Sequence, residues 1–176
     1  IIKNICSVLK CQENEITDIA CIKSGLTNKS FYFSCNGTKY VYRHPGVGTD
    51  NYINRAGEAF SMSVAKSLGL DDTFIYMDEK EGWKISHYIE NARTLDYHNK
   101  QEVLSALHMM RKLHDAKIIS NYDFNIWNAT LDFIGKISQK GRNDFEDFNS
   151  LFKLMSKIYK LTEQDQIEKC LCHCDC

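Results

Sequence analysis

Several stretches of this sequence combine residue types able to do chemistry on a phosphorylated ligand. Ser24-Gly25-Leu26-Thr27-Asn28-Lys29-Ser30 gathers small residues, hydroxyls and an amide in one loop, the composition a backbone needs to fold over phosphate oxygens. Arg43 closes the alternating run Tyr40-Val41-Tyr42 and would reach such oxygens from the end of a strand. Glu58 could orient that guanidinium, which would make loop, strand cation and helix carboxylate a nucleotide clamp. Near the end, His173-x-Asp175 offers a carboxylate able to accept a proton from a hydroxyl. Each has a plainer reading when taken singly: a surface loop, a surface arginine, a solvated helix charge.

The cysteines raise a competing chemistry. Cys170, Cys172, Cys174 and Cys176 alternate around His173, and a Cys/His cluster points to a metal. The spacing argues against it. Alternation puts all four thiols on one face only in an extended segment, and zinc knuckles more usually use C-x-x-C. The other thiols, Cys6, Cys11, Cys21 and Cys35, sit in a chain larger than most disulfide-stapled domains and without a secretory opening. Reduced thiols and a cytoplasmic setting are therefore expected. His44, His87, His98, His108 and His114 share no ligand spacing and read as structural histidines.

These residues need elements to position them. Ile1–Lys10 carries apolar residues at helical spacing, and Glu15–Lys23 turns extended. Asn36-Gly37 between Phe31–Cys35 and Thr38–Arg43 predicts a tight antiparallel hairpin. His44-Pro45-Gly46-Val47-Gly48-Thr49 then breaks the strand. A helix is predicted over Asn54–Leu68, with Asn54 as N-cap, Ala56, Phe60, Val64 and Leu68 on one face, and Gly69 as the stop. Thr73–Met77 and Trp83–Tyr88 form a second hairpin around Asp78–Gly82. The order β-β-β-α-β-β thus fills the first ninety or so residues. Helical stripes follow over Lys100–Lys117, Asp123–Gln139 and Asn143–Leu161, with a brief last helix from Thr162 to Lys169. The fold class is α+β, with a sheet-rich domain over 1–90 and a helical one over 91–176.

Bulk properties narrow the partners. With 22 Lys and Arg against 23 Asp and Glu, the net charge of −1 gives no reason to expect nucleic acid or an anionic membrane. A hydrophobic content of 43% with 26% charged residues suits a globular protein. No apolar run approaches the length of a membrane span. The absence of an initiating Met and the abrupt stop at Cys176 suggest a segment of a longer polypeptide. Oligomeric state is not legible.

Gly25-Leu26-Thr27-Asn28, Tyr40-Val41-Tyr42-Arg43, Gly46-x-Gly48-Thr49, Ile53-Asn54-Arg55-x-x-Glu58 and Leu171-Cys172-His173-x-Asp175 occur in this order. Together they resemble the choline/ethanolamine kinase family, of the aminoglycoside-phosphotransferase-like group with a protein-kinase-like fold. The resemblance runs from about Glu15 to the last residue, with Tyr88-Ile89-Glu90-Asn91-Ala92 where the interlobe hinge falls. It implies a five-stranded antiparallel N-lobe with one inserted helix, followed by the first helices of a helical C-lobe.

The resemblance also implies roles. Gly25, Thr27 and Asn28 would lie over the phosphates of ATP, Arg43 would contact phosphate, and Glu58 would be its helix partner. The backbone of His87, Tyr88 and Ile89 would meet the adenine, and Asp175 would be the catalytic base. ATP with Mg²⁺ would phosphorylate the hydroxyl of choline or ethanolamine. Cys174 departs from the family's usual H-N-D. The metal-binding Asn and Asp and most of the acceptor pocket would lie beyond Cys176, so this chain alone is expected to be inactive. The alternatives are an aminoglycoside-type phosphotransferase and a non-catalytic nucleotide-binding or scaffold module.

Overall fold

The structure is a computed structural model that describes residues 1–23, 27–49, 53–139, 141, 145–165 and 167–173. It opens with helix α1, Ile2–Leu9, and a 3-10 turn at Glu13–Glu15. Strands β1 (Ile16–Ile22), β2 (Lys29–Cys35) and β3 (Thr38–His44) follow. Asn36 and Gly37 join β2 to β3 at φ 50° and 73°. Both lie in the left-handed region, as the two-residue turn of a twisted hairpin requires. Helix α2, Arg55–Ser67, precedes β4 (Phe74–Met77) and β5 (Lys84–His87), and the antiparallel sheet has the order β1-β2-β3-β5-β4. The strand count, the hairpins and the inserted helix agree with the sequence reading.

The two faces of the sheet do different work. On one, Ile5 of α1 is buried with Phe33, Cys35, Tyr42, Trp83 and Ile85. Tyr42 stacks between Phe31 and Trp83, with ring centroids 5.2 and 5.7 Å away. On the other, Ala59 of α2 packs on Phe74 and Met77 of β4, with Met62 beside them. The registers carry one row of residues across the whole sheet on this second face. Ile22 stands opposite Ser30, Ser30 opposite Arg43, Arg43 opposite Lys84, and Lys84 opposite Met77. Directly paired residues share a face, so this row looks toward α2.

Helix α2 is capped as expected: Asn54 accepts a hydrogen bond from the Gly57 N–H at 2.9 Å, and Gly69 follows the end at φ 64°. Its buried stripe differs from the expected one. Arg55, Ala59 and Val64 are buried, whereas Ala56, Phe60 and Leu68 are only partly so. The apolar spacing Ala56/Phe60 misread the face because a charged residue, Arg55, is drawn inward by hydrogen-bond partners.

By compactness the chain divides into Ile1–Ile118, joined by the described residues from Leu171 on, and Ile119–Cys170. The first unit contains α3, Lys100–Asp115, capped by Asn99. Glu102 ties the preceding segment to it. It takes both terminal nitrogens of Arg93 at 2.7 and 3.0 Å and the Asp96 N–H at 3.1 Å. The second unit contains α4 (Ile126–Gln139) and α5 (Phe148–Thr162), where Trp127 stacks on Phe152 and Tyr159 at 5.5 and 5.0 Å. Both helices begin later than their apolar stripes suggested. The brief helix expected from Thr162 to Lys169 is not formed among the described residues. Thr162 ends α5, and its hydroxyl turns back to the Tyr159 carbonyl at 2.7 Å. A side chain that satisfies the last turn of one helix is not available to cap the next.

Candidate functional site

The site begins where β3 ends. Arg43 donates through Nη2 to Oε1 of Glu58 on α2, and both side chains are only 21% exposed. Glu58 uses its other oxygen as well, accepting from Nη1 of Arg55 at 3.3 Å. Arg55 is 6% exposed and reaches the Thr49 hydroxyl through Nη2 at 2.5 Å. Thr49 in turn donates to the Gly46 carbonyl at 2.7 Å. The expected Arg43–Glu58 pair is therefore one edge of a larger network that fastens the loop after β3 to the start of α2.

That loop also supports the one before β2. A side chain on Gly46 would collide with the carbonyl of Thr27, so the two backbones touch there, and only glycine permits it. The absence of a Cβ lets Thr27 and Asn28 settle against the end of β3. Ser30, at the foot of this loop, lies directly opposite Arg43 in the sheet. Gly25 falls outside the described residues.

Among the described residues, Oδ1 of Asn28 and Nε of Arg43 are buried polar atoms without a hydrogen-bond partner. Unpaired polar atoms away from water cost about 1–3 kcal/mol each, so they mark a place suited to a polar partner. The Arg43 N–H suits a phosphate oxygen directly. The Asn28 amide suits one after a half-turn that exchanges its oxygen for its NH₂, a choice fixed only by the partner. The residues present thus fit a phosphorylated ligand.

Lys84 shares the face. It pairs with Arg43 in the β3–β5 register. Burial, then the Arg43 charge, pushes its ammonium below the usual lysine range, against opposing pulls from Glu58 and Asp71. Asp71 accepts from the Thr73 N–H and hydroxyl at 2.8 and 2.7 Å and from the Phe74 N–H at 3.2 Å. Burial raises its carboxyl, but those bonds and Lys84 outweigh burial and hold it below its ordinary value. Sequence reasoning placed Ser30 in the phosphate loop and Arg55 in a motif without giving either a role of its own, and it missed Lys84. The signal that sets Lys84 beside Arg43 is cross-strand register, which no local motif carries.

At the other end of the sheet the chain leaves β5 through Tyr88. The N–H groups of His87 and Tyr88 donate to the carbonyls of Thr73 and Lys39, each at 2.9 Å. Their amides are thus spent within the sheet, and Ile89 supplies the next one along. Lys39 lies over the rings of Tyr32 and Tyr88, 4.4 and 4.3 Å from their centroids, and 3.6 Å from Glu90. These contacts fix Tyr88 against the sheet. At the far end of the chain, the Leu171 N–H donates to the Ile118 carbonyl at 3.0 Å, which ties the approach to His173 to the first unit. Asp175, the expected base, lies outside the described residues, as do Cys174 and Cys176. Among the described residues no group of three or more His, Cys, Asp or Glu side chains could hold a metal ion. None of their helices is long and apolar enough to cross a membrane.

No family model matches the chain. In sequence it is 27% identical over 155 residues to Protein LicA of Haemophilus influenzae (strain ATCC 51907 / DSM 11121 / KW20 / Rd), covering 85% of this chain and 57% of that protein. A second Protein LicA of Haemophilus influenzae is 29% identical over 119 residues, 66% of this chain and 35% of its own length. The chain therefore spans about half, or less, of the curated relatives it matches. In structure, a choline/ethanolamine kinase family protein from Mesorhizobium loti superposes with a TM-score of 0.72 at 20% identity, over 99% of this chain and 58% of that one. Choline kinase LicA from Streptococcus pneumoniae gives 0.65 at 23%, over 91% and 56%, as does LicA in complex with AMP. The α+β fold with its five-stranded antiparallel sheet is shared with these proteins, and the resemblance seen in the motifs is matched in sequence and in fold.

Proposed function

We propose that this chain carries the nucleotide site of an ATP-dependent kinase that phosphorylates choline or ethanolamine. The observation that carries the reading is the end of β3, where Arg43 is held by Glu58 while, among the described residues, its buried Nε and the buried Asn28 Oδ1 have no partner. A guanidinium fixed on one side and unspent on the other is suited to phosphate. The AMP bound by LicA supports a nucleotide as the source of that phosphate.

In this reading Gly25, Thr27 and Asn28 lie over the phosphates, and Arg43 contacts them with Glu58 as its positioning partner. The backbone at His87, Tyr88 and Ile89 meets the adenine edge, with the Ile89 amide as donor. Residues 1–90 serve as the nucleotide lobe, and 91–176 begin the lobe that receives the acceptor. Asp175 accepts the proton of the acceptor hydroxyl as its oxygen bonds to the γ-phosphorus. The bond to the bridging oxygen breaks, and ADP leaves. Magnesium would neutralise phosphate charge when bound with ATP. Among the described residues no group of three or more His, Cys, Asp or Glu side chains could hold the ion. Because the chain spans about half of its relatives, turnover is assigned to the whole protein, and the 176 residues alone are expected to bind nucleotide without turning it over. A protein that spends ATP on a small alcohol is placed in the cytoplasm.

The test is a phosphorylation screen of the full protein with γ-labelled ATP against choline, ethanolamine and aminoglycosides. Labelled phosphocholine or phosphoethanolamine is the expected product. Labelled aminoglycoside would move the assignment to the neighbouring phosphotransferases. ATP binding with no acceptor labelled would make the chain a non-catalytic nucleotide module.

A further inference from the structure

Lys84 is a half-buried cation without an anion of its own. Among the described residues its ammonium makes no hydrogen bond or ion pair. The carboxylates nearest in charge are already committed. Glu58 gives one oxygen to Arg43 and the other to Arg55, and Asp71 takes three donors from Thr73 and Phe74. Burial disfavours the charged form of Lys84, so an anion arriving beside it would be a favourable partner.

The register says where. Ser30, Arg43 and Lys84 are consecutive members of one row on β2, β3 and β5, on neighbouring strands about 5 Å apart. That spacing lets a single tetrahedral anion take donors from two adjacent residues at once. Arg43 has a buried N–H to give, Lys84 has three unspent donors, and Ser30 adds a hydroxyl. Around the row stand Arg43, Arg55 and Lys84 as cations against Glu58 and Asp71 as carboxylates, so the cluster is left with an excess of positive charge.

We propose that Lys84 is a second phosphate-binding cation, which grips the nucleotide's phosphate chain together with Arg43 from the adjacent strand. The assignment rests on the nucleotide reading above, and the test separates the two. ATP and adenosine are titrated into the full protein and into Lys84→Met, which keeps the stem and removes the charge. ATP affinity is expected to fall by about ten-fold or more while adenosine affinity stays as in the wild type. The unliganded variant is expected to melt at the same or a higher temperature, because a half-buried cation disfavoured by burial and by the Arg43 charge has been removed. A second measurement uses the unaltered protein: ATP, and not adenosine, is expected to protect Lys84 from reductive methylation.

Equal ATP affinity in wild type and variant, or equal methylation with and without ATP, overturns the role of Lys84 and leaves the nucleotide site standing. Loss of ATP and adenosine affinity together, with a lower melting temperature, makes Lys84 a structural residue and overturns it as well. A wild-type protein that binds neither ligand overturns the nucleotide reading itself.

Discussion

Arg43 and Glu58 meet between a strand and the helix that follows it, and Glu58 holds Arg55 with its other carboxylate oxygen. One carboxylate thus serves two guanidiniums, one facing the candidate phosphate site and one buried beneath it. The first fixes a ligand-facing cation. The second fastens the Gly46–Thr49 loop to α2 through Thr49.

Removing that carboxylate should therefore hurt binding and stability together. Glu58→Ala leaves two partly buried cations without their anion, a loss of about 2–3 kcal/mol by the usual cost of breaking such a pair. Urea unfolding checks this. ATP affinity should drop by about ten-fold in Glu58→Gln, which keeps the shape and loses the charge. Unchanged urea midpoints and unchanged affinity would sink the shared-carboxylate account.

Gly46 offers a steric test. A methyl group there runs into the Thr27 carbonyl, which is backbone and cannot rotate away. Gly46→Ala is expected to cost about 1–3 kcal/mol, by displacing the loop that carries Thr27 and Asn28. ATP affinity should fall more than adenosine affinity. A variant with wild-type melting temperature and wild-type ATP affinity would show that the two loops need not touch.

Gly82 tests the buried arginine from the other side. It has φ 73°, and a Cβ there would strike the Arg55 side chain. Gly82→Ala combines an unfavourable backbone conformation with displacement of a residue held by Thr49 and Glu58, so a loss of about 2 kcal/mol is expected. If circular-dichroism melting shows no loss, Arg55 is free to move and the network is looser than described.

The contrast between what the sequence showed and what it hid follows from the range of each interaction. The β2–β3 hairpin was legible because Asn36-Gly37 is a local signal for a local turn, and Asn54 and Gly69 bounded α2 by the same logic. Arg43 and Glu58 were legible through motif spacing. Arg55 was not, because helical periodicity alone assigns a charge to the solvent side and cannot see Thr49 and Glu58 waiting inside. Lys84 was hidden for a different reason. Its place beside Arg43 depends on strand order β2-β3-β5, in which β5 inserts next to β3 although α2 and β4 intervene in sequence. The helix expected after Thr162 failed where a hydroxyl suited to capping found a nearer carbonyl.

Acid should act on the segment that follows Tyr88. Hydrogen bonds from Arg93 first, then the Asp96 N–H, hold the Glu102 carboxyl at about 2, below its ordinary 4.5. A depressed folded value means that its contribution is fully present above the unfolded value and is lost as pH falls from there toward about 2. In Glu102→Gln the difference from wild type should thus be largest at neutral pH and vanish in acid. Carbon-13 titration of the Glu102 carboxyl reads the value directly, and an ordinary midpoint would remove the clamp on Arg93.

The account stands most directly on where a nucleotide sits. A crystal structure of the full protein with a non-hydrolysable ATP analogue would show it. The expected result has the phosphates over Thr27 and Asn28, with Arg43 donating to a phosphate oxygen while still bonded to Glu58, and the adenine edge at the Ile89 amide. An analogue bound elsewhere, or a bound triphosphate that leaves the Arg43 Nε and the Asn28 amide without partners, would contradict it.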